Sequence, residues 1–143
     1  CHNVVAHRFA PTPEQAVDAA LATGRIDRGL PFVRREAVRL MKASHPTSDD
    51  AARVIDEDLR KFYTSRGRAV DAQVTGAVTE LQAIYRRNVF PIMKVTFGTY
   101  PDNLGHMTST GCFRCHDGSL TAKDGSTINA DCEYCHKQIE NPI

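Results

Sequence analysis

Apolar positions recur at three- and four-residue intervals through the first 90 residues and then lose that period. Four helices are predicted from this pattern. Thr12-Pro13-Glu14-Gln15 reads as an N-cap, a proline at the first helical position and a capping-box glutamine. A small-residue face on Ala16, Ala19 and Ala20 follows, and Gly24 supplies a stop. A second helix is expected from Pro31, carrying Phe32, Val33, Ala37, Val38, Leu40 and Met41, and ending before Pro46. Thr47 or Ser48 would cap the third, with Asp49 and Asp50 favoured in its first turn and Val54, Ile55, Leu59 and Phe62 along it. The fourth should run from about Val70 to Asn88, with Val74, Val78, Leu81, Ile84 and Tyr85 as its apolar stripe. The short connections imply antiparallel neighbours.

Beyond Phe90-Pro91 the pattern changes. Val95, Thr96 and Phe97 favour an extended stretch, after which Gly98, Pro101, Gly105 and Gly111 interrupt regular structure. Asp124-Gly125 is a hairpin-type turn signal. The expected fold is therefore mostly α: an antiparallel helical scaffold over residues 1–90, then a loop-rich region with short helices over 91–143, together one domain. Lys+Arg 18 against Asp+Glu 17 gives no basic footprint for nucleic acid. No run approaches the roughly 18 apolar residues of a membrane span, and no signal peptide is visible. The opening Cys1-His2, without a start methionine, reads as a processed or trimmed product.

Cysteine changes the picture. Four of the five cysteines lie in two matching pentapeptides, Cys112-Phe113-Arg114-Cys115-His116 and Cys132-Glu133-Tyr134-Cys135-His136. Cys-x-x-Cys-His is the attachment signature of c-type haem. Two thiols form thioethers to the vinyl groups, and the following histidine presents its imidazole to the iron. The same residues also read C-x2-C-x16-C-x2-C, the spacing of a four-cysteine zinc site. A thioredoxin-like CxxC is a third reading, for which the βαβ context is missing. Zinc has no need of a histidine after each pair, so haem is favoured.

Cys1-His2 has the form of a third motif's tail, although lipidation of Cys1 is an alternative. With it, His2, His116 and His136 become proximal ligands, and His7, His45 and His106 are left for the opposite faces. Six histidines suit three bis-histidine haems. Met93, beside Pro91, is the competing axial candidate, whereas Met41 reads as core.

The run Phe90-Pro91-Ile92-Met93-Lys94-Val95-Thr96-Phe97-Gly98-Thr99-Tyr100-Pro101, then Gly105-His106 and Gly111 to Gly118, resembles bacterial multihaem c-type cytochromes of the NapC/NirT-like, membrane-anchored type. Cys1-His2-Asn3 with His7 and Phe9, and Leu30-Pro31-Phe32, are similar too. The resemblance implies haem c on Cys112, Cys115 and His116 and on Cys132, Cys135 and His136, with His106 and Met93 at places of potential axial ligands. It also implies electron transfer outside the cytoplasm, in the periplasm, between the quinone pool and redox partner proteins, with a membrane anchor or quinone-linked module upstream. The rival readings are a haem enzyme or haem sensor with one open iron site, and a zinc-stabilised interaction domain.

Overall fold

The computed structural model describes residues 9–68, 71–99, 107 and 109–135. They fall into two units, one within 9–99 and the other within 107–135. The first is helical: α1 (Pro13–Ala22), α2 (Val33–Lys42), α3 (Ser48–Thr64) and α4 (Ala72–Asn88), followed by a 3-10 turn at Pro91–Met93. The second holds a 3-10 turn at Gly111–Arg114 and one short helix, α5 (Cys132–Cys135). No β-strand forms among the described residues, only two isolated bridges. The mostly α architecture with a loop-rich C-terminal part is the one expected from the sequence.

Local chemistry fixes the helix starts. Thr12 Oγ1 accepts from the Gln15 N–H at 3.1 Å, Thr47 Oγ1 from Asp50 N–H at 3.0 Å, and Asp71 Oδ1 from Val74 N–H at 3.0 Å. Each satisfies one of the amides that a helix N-terminus leaves without an internal partner. α1 closes at Thr23, and Gly24 follows at φ +72°, a backbone setting that glycine adopts without steric cost. α2 begins two residues later than the sequence suggested. The Pro31 carbonyl accepts instead from the Tyr63 hydroxyl at 3.1 Å, and Phe32 turns the chain at φ +60° before Val33.

The core takes one stripe from each of the four helices. Ala16, Val17 and Ala20 of α1 meet Val33, Ala37, Leu40 and Met41 of α2, Ile55, Leu59 and Tyr63 of α3, and Val74, Val78, Leu81, Ile84 and Tyr85 of α4 in one apolar cluster. α3 and α4 pack most extensively, followed by α1 and α2. Met41 is core, as its helical spacing indicated.

The segment after α4 belongs with this unit. Phe90 and Val95 exchange backbone hydrogen bonds at 2.9 and 3.2 Å around the Pro91–Met93 turn. Of the stretch expected to be extended, Val95 pairs in this bridge, while Thr96 enters a turn closed by Thr99 N–H to the Thr96 carbonyl at 3.1 Å. Phe97 packs against the core. Gly98 stands at φ +71°, and a Cβ there would lie 2.9 Å from the Pro11 carbonyl oxygen, so backbone angle and space both demand glycine. Asn88 ties this end to the chain before α1. Its Oδ1 accepts from Ala10 N–H at 2.6 Å while its Nδ2 donates to the Ile84 carbonyl at 2.8 Å. Both ends of a buried carboxamide are thus satisfied, as burial requires.

Candidate cofactor site

The first pentapeptide is wound on a single turn. The Cys112 carbonyl accepts from Cys115 N–H at 3.2 Å and from His116 N–H at 3.0 Å. Positions three and four apart in a helical turn share a side, so this winding brings the two thiol-bearing residues and the histidine to one region. Thr110 steadies the turn from below: its carbonyl accepts from Phe113 N–H at 2.8 Å and its hydroxyl from Arg114 Nε at 3.0 Å. Cys112, Cys115 and His116 are all half-buried.

Burial, followed by the Asp117 carboxylate, pushes the Cys115 thiol above its ordinary pKa. No β-strand forms among the described residues, so they do not supply the βαβ setting of a thioredoxin-like CxxC.

The polar stretch after the first motif folds back as a small hairpin. Thr121 and Thr127 form an antiparallel bridge, Ala122 N–H donates to the Ser126 carbonyl at 2.7 Å, and Gly125 turns the chain at φ +85°. Asp124 Oδ1 accepts from both the Ser126 amide and hydroxyl, at 3.0 and 2.6 Å, which closes the turn locally. The Asp124-Gly125 signal thus produces the predicted reversal. The returning arm carries Asn129, and the Asn129 carbonyl oxygen lies 2.6 Å from His116 Nδ1.

That contact decides what the imidazole can do. A carbonyl only accepts, so Nδ1 must carry the proton, and in the neutral ring the lone pair then lies on Nε2. This is the state of a metal-ligating histidine, whose other ring nitrogen donates to a backbone carbonyl or carboxylate. The first motif therefore fits haem c: two cysteines and a histidine on one turn, with the ring in the ligating tautomer.

Other predicted site residues fare differently. Cys132 is exposed at the start of α5, while the side chain of Cys135 and all of His136 lie outside the described residues. Cys1, His2, His7 and His106 also lie outside them. Met93 is half-buried in the 3-10 turn after α4. His45 sits between α2 and α3, edge-on to Tyr85 at 5.8 Å between ring centroids. Its Nε2 is buried with no hydrogen-bond partner among the described residues. Sequence reasoning had flagged His45 but not Tyr85, which it placed only in the core stripe. No group of three or more His, Cys, Asp or Glu side chains converges as a metal cluster among the described residues.

Taken together, the motif and its ring environment fit a protein that carries covalently bound haem c. Comparison with known proteins agrees. The chain is 36% identical to the cytochrome c-type protein ImcH of Geobacter sulfurreducens over 97% of its own length. It spans 28% of that relative. The match supports the group that the residues resemble, the NapC/NirT-like multihaem c-type cytochromes. No family model matches the chain, and no solved structure does. Among the described residues no helix is long and apolar enough to cross a membrane.

Proposed function

We propose that this chain is an electron-transfer segment of a multihaem cytochrome working outside the cytoplasm, and that it carries its electrons without binding a substrate at iron. The observation that carries the reading is the His116 ring, held through Nδ1 by the Asn129 carbonyl at 2.6 Å on the turn that bears Cys112 and Cys115. When bound, haem c supplies a one-electron Fe(III)/Fe(II) couple.

The residues divide the remaining work. Cys112 and Cys115 provide the two thioether sulfurs of the first haem, and His116 Nε2 the proximal nitrogen. Cys132, Cys135 and His136 do the same for the second, and Cys1 with His2 for a third. His7, His45 and His106 are the bis-histidine partners, with Met93 as the alternative at one iron. For His45 the support is its buried Nε2, a nitrogen with lone-pair chemistry and no partner to use it on among the described residues.

Occupied axial positions restrict the chain to outer-sphere transfer, so its partners are redox proteins that dock nearby. The upstream attachment is a membrane anchor or quinone-linked module. Covalent haem attachment takes place outside the cytoplasm, which sets the periplasmic location.

This reading has a direct test. The dithionite-reduced holoprotein, exposed to carbon monoxide, is expected to keep its absorption spectrum, because every iron already holds two protein ligands. A shifted Soret band would mean an open iron and turn the reading toward an enzyme or a sensor. A colourless protein containing zinc would replace it altogether.

A further inference from the structure

We infer that Asn129 is a positioning residue shared by the two CxxCH motifs, and that it sets the reduction potential of the haem ligated by His116. The inference rests on haem attachment at Cys112, Cys115 and His116. Two bonds on one residue carry it. The backbone carbonyl of Asn129 holds His116 Nδ1 at 2.6 Å, while its side-chain Oδ1 accepts from Asp131 N–H at 2.8 Å. The second bond is an Asx turn that fixes the backbone immediately before Cys132, where α5 begins. One residue therefore fastens the ligand ring of the first motif and shapes the entry to the second.

The carbonyl can hold the ring only while the peptide that bears it is held. On the upstream side that is done by the hairpin, through Ile128 N–H to the Leu120 carbonyl at 3.4 Å and the closer Ala122–Ser126 bond at 2.7 Å. On the downstream side it is done by the Asn129 carboxamide. The long Ile128 bond leaves the Asx turn as the firmer restraint adjacent to the carbonyl.

An Nδ1–H bond to a carbonyl makes the imidazole a stronger donor to iron. Stronger donation favours Fe(III) over Fe(II) and lowers the potential, so loosening Asn129 should raise it. The side chain matters here only through the carbonyl it positions. Replacing it leaves the carbonyl in place but frees its direction.

The experiment compares Asn129→Ala, Asn129→Ser and Asn129→Asp in the haem-loaded protein by redox titration and low-temperature EPR. The haem in question is the one whose signal disappears in the Cys112→Ala/Cys115→Ala protein. Asn129→Ala should shift its potential upward and move its low-spin g-values. Asn129→Ser should shift both less, and Asn129→Asp, which keeps a carboxyl oxygen in the Asx position, should restore both.

Unchanged potential and g-values in Asn129→Ala, with the haem still attached, overturn the inference. Should Asn129→Ala fail to mature, the Ser and Asp proteins give the same comparison. In the unmutated ferric protein, the inference also expects the His116 Nδ1 proton to appear as a hyperfine-shifted resonance that exchanges slowly with solvent. Its absence would count against the bond itself. If the Cys112→Ala/Cys115→Ala protein loses no haem, the attachment reading fails instead, and the two failures are separate.

Discussion

Replacing Cys112 and Cys115 together with alanine is expected to remove one haem from the protein and leave the other attachment sites loaded. The thioether bonds are covalent and survive denaturation, so the loss is read as one haem mass in the denatured chain. No compensation is available nearby: among the described residues the remaining cysteine with a described side chain is Cys132, and it belongs to the other motif. The helical unit should keep its far-ultraviolet signature, because its core draws only on residues between Ala16 and Val89 with Ala10, Leu21, Val38, Phe62 and Phe97 packed against it. An unchanged haem count in the double variant would contradict the assignment of the first motif.

The second large effect concerns stability and acid. Glu36 on α2 is buried, with its side chain 8% exposed, and its two carboxylate oxygens accept from Arg35 Nε and Arg39 Nε at 2.9 Å each. Arg39 reaches on to Asp58 of α3 at 3.2 Å, so the pair clasps two helices. Burial works against the Glu36 charge, but the hydrogen bonds from Arg39 and Arg35 outweigh it and leave the carboxyl below its ordinary pKa. Hydrogen bonds to a charged group contribute about 1.5–3 kcal/mol each when lost. Arg35 and Arg39 are half-exposed and recover hydration, so Glu36→Gln should cost about 2 kcal/mol at neutral pH rather than the larger penalty of a stranded buried charge.

The pH dependence follows from the direction of the shift. A carboxyl whose pKa is depressed by folding contributes fully above the ordinary carboxylate range. That contribution is lost as the pH falls through its folded value. Denaturant titrations followed by circular dichroism should therefore separate the two proteins at pH 7 and bring them together in acid. A difference that stayed constant across that range would show that the carboxylate charge is not its source.

Much of the helical unit was legible in the sequence because each helix announces itself twice, by its cap and by its stripe. Thr12, Thr47 and the stripe from Val74 to Tyr85 occupy the positions their chemistry indicated. The start of α2 was misjudged because a tertiary bond took precedence over a local rule. Tyr63, 32 residues along the chain, claims the Pro31 carbonyl, and no local pattern encodes that. The stretch expected to be extended over residues 95–97 is cut short after Val95: β-branched and aromatic residues favour extended backbone, but Gly98 at φ +71° lets the chain turn over residues 96–99.

The cofactor motif is the most legible chemical signal in the sequence, since CxxCH fixes residue types and spacing at once. What it could not encode is the partner of the His116 ring, a main-chain carbonyl that any residue at position 129 would possess. Only its Asx turn into Asp131 leaves a trace in residue type. Likewise, Val78 and Tyr85 look alike on an apolar stripe, and only packing reveals that the Tyr85 hydroxyl ends beside His45.

The central claim, covalent haem on the CxxCH cysteines, is tested most directly by the intact mass of the purified protein under denaturing conditions. The account predicts the polypeptide plus two haems, or three where Cys1 also holds one. A mass equal to the bare polypeptide would contradict it.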